Sequence, residues 1–102
     1  MSNVVQLAGR RRGLAPLWRE ALGRQLRGER EFRGERIADV AGRAGVSPQY
    51  LSELERGKKD PSSEMLEALA GALDITVLDL TRRAGAQLAA GPARDEPVLR
   101  AA

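Results

Sequence analysis

Apolar side chains recur along the middle of this chain at helical rather than strand spacing. Trp18, Leu22 and Leu26 fall four residues apart and line one face of a first helix. Arg30 continues that row, so it leans toward the apolar side too. Gly34 closes the segment. Ile37, Val40, Ala41 and Ala44 give an apolar side to a second short helix over 36–44, interrupted by Gly45. Ser47-Pro48 is a strong start for a third helix, with a hydroxyl at the N-cap and proline at the first helical position. That helix runs to about Arg56 and stops at Gly57. Pro61-Ser62-Ser63-Glu64 opens a fourth, with Leu66, Leu69, Ala70 and Leu73 facing inward. Thr76 followed by Asp79 opens a fifth, with Val77, Leu80, Ala84 and Leu88 as its stripe. No segment alternates with period two for long enough to suggest a sheet. The prediction is an all-α, compact five-helix domain over 16–90. Residues 1–15 show no sustained period and run into Pro16, which predicts a flexible basic arm. Residues 91–102, with two prolines and mixed charge, read as a disordered tail.

Two of these helices form a recognisable unit. Over Ile37–Arg56, Val40, Ala44, Val46, Leu51 and Leu54 are apolar where the second and third helices must pack. Ala41 is small at their approach, and Gly45 permits the turn. This is the helix-turn-helix layout, in which the second helix of the pair enters a DNA major groove. The same layout also serves as a purely structural helical hairpin.

Composition narrows the chemistry. Of 102 residues, none is Cys or His, which removes an ordinary zinc site, an imidazole base and a thiol nucleophile. No metal or cofactor is expected. An enzyme is the weakest class, since no motif poises a base and no glycine-rich phosphate loop follows a strand. No stretch approaches the roughly 18–20 apolar residues of a membrane span, and no secretory pattern is visible, so the expected location is the cytoplasm. The net charge of +3 conceals an uneven distribution. Residues 1–34 carry +5, residues 35–60 balance at zero, and residues 61–83 carry −2. The basic third, with Arg10, Arg11 and Arg12 in its arm, suits either solvent or a polyanion such as the DNA minor groove.

The stretches Gly45-Val46-Ser47, Leu51 through Ser62 and Ala68 through Leu73 resemble the lambda-repressor-like, Xre-type helix-turn-helix family over about residues 20–83. The resemblance implies a five-helix DNA-binding domain that regulates transcription, usually as a dimer. Arg19-Glu20-Ala21-Leu22-Gly23, Ser47 through Gly57, Ser62-Ser63-Glu64 and Leu73-Asp74-Ile75 look like the actinobacterial regulators of Clp protease genes, which suggests activation of such genes. Ile37 fits that subgroup. Many Xre-type domains have a phosphate-holding Gln there, and that contact is not carried over.

Taking Leu51 and Leu54 as core-facing and turning about 100° per residue, Gln49, Ser52, Glu53 and Arg56 project from the opposite side, with Tyr50 on the flank. The amide of Gln49 suits adenine, and the carboxylate of Glu53 suits cytosine N4. Tyr50 suits a thymine methyl or a phosphate, and Ser52 completes the base-reading set. Pro48 stands where related domains place a base-contacting polar residue and offers only packing. Arg43, Ser47, Arg56, Lys58 and Lys59 are the candidate DNA-backbone contacts, which set register without reading sequence. Related domains commonly pair an Arg and a Glu at the positions of Arg30 and Glu55, which implies a structural ion pair tying the first helix to the recognition helix. Helix five and the segment Ala84–Ala90 are the expected homodimer surface. The ending Ala101-Ala102 looks like the small apolar tags read by Clp-type proteases, though an alanine-rich chain can also simply stop there. Two rival readings use the same domain: an antitoxin-type regulator that also holds a toxin, and an interaction module that has lost DNA.

Overall fold

A computed structural model describes the backbone of residues 2–90 and the side chains from Leu17 to Ala90. Five helices follow one another: α1 (Ser2–Phe32), α2 (Ile37–Ala44), α3 (Pro48–Glu55), α4 (Ser63–Ala72) and α5 (Val77–Ala90), with no strand among the described residues. The expected boundaries of α2 and α3 hold to within about a residue, and α4 and α5 open just after Ser62 and Thr76. The N-terminus differs. The stretch expected as an arm, 1–15, is continuous with α1 from Ser2 onward. Its Leu, Ala, Gln and Arg content supports a helix, against the cost of Pro16, which removes a ladder donor and crowds the carbonyl four residues back. The tail 91–102, and with it Ala101 and Ala102, lies outside the described residues.

Three of the five helix starts are capped by a hydroxyl. Ser47 Oγ accepts the Tyr50 N–H (3.0 Å), Ser62 Oγ accepts the Met65 N–H (3.2 Å) and Thr76 Oγ1 accepts the Asp79 N–H (2.9 Å). A serine, threonine or asparagine cap of this kind contributes about 1 kcal/mol. The turn between α2 and α3 is closed by Gly45 at φ 75°, with the Val46 N–H donating to Ala41 O (3.0 Å). After α3, Gly57 at φ 74° does the same, with the Lys58 N–H donating to Glu53 O (3.0 Å). The end of α4 uses the same pair of bonds, Ile75 N–H to Ala70 O and Asp74 N–H to Gly71 O. There the left-handed residue is Asp74, at φ 60°.

The core is aliphatic. Leu26, Leu51, Leu54, Leu69, Leu80 and Val40 are its largest fully buried side chains, each contributing roughly 1.5–3 kcal/mol. Trp18, Ile37 and Tyr50 pack on its margin. Helix α1 packs against both α3 and α5, and α2 against α3 and α4. Along α5 the seam is polar: Gln87 bonds Gln25, Gln25 donates to Glu29 (2.7 Å), and Arg83 donates to Glu29 (2.6 Å). Arg24 adds a bond to Gln87 Oε1 (3.1 Å). These pairings run α1 and α5 antiparallel in a single register.

Candidate DNA-reading face

Helix α3 is held from behind by the first helix. Arg30 Nε donates to Glu55 Oε2 (2.7 Å) and Nη2 to Glu55 Oε1 (2.9 Å), a two-pronged pair whose side chains are 13% and 5% exposed. The third prong, Nη1, donates to the carbonyl of Glu35 (2.9 Å), so none of the three nitrogens is left without a partner. The bond to Glu55 raises the Arg30 pKa above its ordinary value, against the opposing effect of burial. The structure thus joins the two residues that the family resemblance paired. Closer to the N-terminus of α1, Gly23 lies against the end of α3. A Cβ there would run into the carbonyl oxygen of Leu54 and sit 2.6 Å from that of Glu55. Only a glycine lets the two helices approach this far.

With Leu51, Leu54 and Glu55 buried, the opposite side of α3 faces outward. Gln49 and Arg56 are exposed, and Ser52, Glu53 and Tyr50 are half-buried. Gln49, Arg56 and Lys58 form no ion pair or side-chain hydrogen bond among the described residues. Ser47 is exposed, and its Oγ is occupied as the cap of α3. Glu53 and Lys59 meet: Nζ lies 3.2 Å from Glu53 Oε1 and 5.9 Å from the centroid of the Tyr50 ring.

Arg43 is the residue whose surroundings differ most from expectation. Instead of projecting freely beside α3, its guanidinium donates twice to the carbonyl of Ala72 (3.1 and 2.8 Å) and once to Glu35 Oε1 (2.6 Å). The last carbonyls of a helix are unpaired and carry partial negative charge, which attracts a cation. Arg43 therefore closes α4, with its pKa raised by the bond to Glu35. Glu35 was not anticipated. Its carboxylate receives Arg43 and Arg33 (2.9 Å), which hold its pKa down to about 2, while its carbonyl receives Arg30. It is the hub of the α1–α2 loop, and its flanking arginines in sequence were the only available signal. Arg19, bonded to Asp60 (3.3 Å), similarly ties α1 to the loop after α3.

No cluster of three potential metal ligands exists among the described residues, and no helix there is long and apolar enough to cross a membrane.

A family model described as a helix-turn-helix domain matches residues 21–88. The transcriptional regulator ClgR of Mycobacterium tuberculosis is 42% identical over 88 residues, covering 86% of this chain and 75% of that protein. Among solved structures, the clp gene regulator ClgR from Corynebacterium glutamicum superposes with a TM-score of 0.73 at 40% identity, over 82% of this chain and 88% of that one. The restriction-modification controller protein C.AhdI from Aeromonas hydrophila gives a TM-score of 0.60 at 31% identity, over 61% and 94%.

Proposed function

Because this chain belongs to the Xre-type, lambda-repressor-like helix-turn-helix family of DNA-binding transcriptional regulators, we propose that it acts as a homodimer on a near-palindromic operator. The α3 helices of the two protomers would enter successive major grooves about 34 Å apart. The observation that carries this reading is the division of α3 into a face pinned to α1 by Arg30–Glu55 and an outward face carrying Gln49, Ser52, Glu53 and Arg56. Gln49 and Glu53 read bases, with Tyr50 and Ser52 at their margins. Arg56, Lys58 and the capped turn at Ser47 meet phosphates. Arg43 keeps Nη1 for a phosphate contact while its Nε and Nη2 close α4.

The dimer surface is α5. Leu78 is 69% exposed on it, and the antiparallel register sets Phe32, 91% exposed, opposite the first turn of that helix. Leu78→Asp is expected to turn the dimer into monomers in sedimentation. The relatives named for clp gene regulation favour clp genes as targets; activation as the mode and the cytoplasm as the location are part of the proposal. The same relatives favour a regulator over an antitoxin paired with a toxin. We assign the chain no catalytic step.

Selection of bound duplexes from a random pool at defined salt tests the central reading. An enriched palindrome supports paired, sequence-reading protomers. Equal and steeply salt-dependent binding of every sequence would reduce the protein to a non-specific binder.

A further inference from the structure

A carboxylate on a surface that meets DNA is a liability, because phosphates repel it and the interface strips its water. Glu53 stands on that surface, and its negative charge is answered from within the chain. The ammonium of Lys59 lies 3.2 Å from Oε1, leaving Oε2 without a partner among the described residues. On one side of Lys59, the Lys58 N–H donates to the carbonyl of Glu53 itself (3.0 Å), through the turn at Gly57. On the other side, Asp60 is held by Arg19 of α1 (3.3 Å). The turn that carries Lys59 is therefore held by a backbone bond on one side and by an exposed side-chain pair on the other, and its side chain returns over the Tyr50 ring, 5.9 Å from the centroid. The ring face attracts the ammonium and limits its alternatives.

We propose that Lys59 is a positioning residue for sequence readout: it neutralises and orients the Glu53 carboxylate so that Oε2 accepts the N4 amino hydrogen of a cytosine. The proposal rests on the assignment of α3 as the base-reading helix. It departs from the role expected of a lysine in this loop, a phosphate anchor, because the ammonium is already directed at the Glu53 carboxylate. A phosphate anchor adds affinity for every sequence, whereas a lysine that holds Glu53 adds it where cytosine is present.

Bound duplexes are selected from a random pool at fixed salt by the wild type, Glu53→Gln, Lys59→Ala, Lys59→Arg and the Glu53→Gln/Lys59→Ala double variant. Affinities for the enriched site and its single-base variants are then measured at several salt concentrations. The wild type is expected to prefer cytosine at one position. Glu53→Gln and Lys59→Ala are each expected to lose that preference by about fivefold or more. The double variant loses no more than Glu53→Gln alone, and Lys59→Arg keeps the preference. Lys59→Met, which retains the aliphatic contact with Tyr50, repeats the test if Lys59→Ala folds poorly. The proposal is overturned if the lysine variants keep every base preference and weaken all sequences alike with a salt slope reduced by about 1, the behaviour of a phosphate contact. It is equally overturned if Glu53→Gln leaves the cytosine preference intact. A wild type that enriches no sequence would remove the base-reading assignment of α3, and the proposal with it. Enrichment by the wild type with unaltered lysine variants removes the proposal alone.

Discussion

Gly23 and Gly28 lie five residues apart inside the same helix, and replacing each with alanine should move stability in opposite directions. Any glycine within a helix costs roughly 0.5–1 kcal/mol relative to alanine, because its backbone loses more freedom on folding. At Gly28 a Cβ would meet nothing within 4 Å, so Gly28→Ala should return that amount in full. At Gly23 the new methyl would lie 2.6 Å from Glu55 O and 2.9 Å from Glu55 C, and closer still to Leu54 O, where real Cβ contacts stay beyond 3.0 Å. All three are backbone atoms of α3, so no side chain can swing away. Helices α1 and α3 must separate by something like 0.5–1 Å, a gap that forfeits a quarter to a half of the dispersion attraction across the contact. Overpacking of this kind costs about 1–3 kcal/mol, and being backbone against backbone it belongs near the upper end. After the propensity gain, Gly23→Ala should destabilise the domain by about 1–2 kcal/mol while Gly28→Ala stabilises it by up to about 1 kcal/mol. In a domain of this size each kcal/mol moves the melting temperature by roughly 4–8 °C, so the two variants should melt at least about 6 °C apart. Circular dichroism melts measure this directly. Operator affinity supplies a second reading, because only Gly23→Ala displaces the recognition helix. A Gly23→Ala protein that melts at or above the wild-type temperature would refute the close approach.

Three further outcomes follow from the same contacts. Glu55→Ala leaves the partly buried Arg30 guanidinium without its carboxylate and should cost about 3 kcal/mol, the lower end for a buried pair, lowering the melting temperature before any effect on DNA is considered; an unchanged melt contradicts the pairing. Glu35 has its pKa lowered from an ordinary 4.5 to about 2 by Arg43 and Arg33, so its contribution is complete above about pH 4.5 and is lost as the pH falls toward 2. The stability difference between wild type and Glu35→Gln, followed by urea unfolding across that range, should therefore shrink on acidification; a constant difference would show that the ion pairs do not form. Asp74 occupies a left-handed position at φ 60° and adds a negative charge at the end of α4, so Asp74→Gly should raise stability by about 0.5–1 kcal/mol in a thermal melt, and a loss of stability would contradict this account.

What the chain disclosed in advance depended on whether the physical cause was local. The caps at Ser47, Ser62 and Thr76 and the turns at Gly45 and Gly57 are decided by a few neighbouring residues, and they were readable. The inward lean of Arg30 followed from a four-residue period, and that of Glu55 from the turn of α3. The destination of Arg43 was not readable, because its acceptor, the carbonyl of Ala72, belongs to a helix that only tertiary packing brings near. The close approach at Gly23 was not readable, since the carbonyls that exclude a side chain there come from α3. Lys59 and Glu53 are six residues apart, a spacing without meaning on a helix; the turn at Gly57 folds one back over the other. Pro16 suggested a boundary that the backbone of α1 passes through.

The amide and carboxylate rungs between α1 and α5 make a ruler. Leucine and alanine packed on one another tolerate sliding, but Gln25–Gln87 and Glu29–Arg83 have their partners only at one setting. Slipping α5 by a single helical turn would shift it about 5.4 Å, more than the 3.4 Å between stacked base pairs. In a dimer joined through α5, α1 would transmit any such slip directly to α3, because its other flank is locked there by Gly23 and Arg30. The spacing between operator half-sites that such a dimer accepts would then be graduated in hydrogen bonds far from the DNA, and lengthening or shortening a single rung would re-index it.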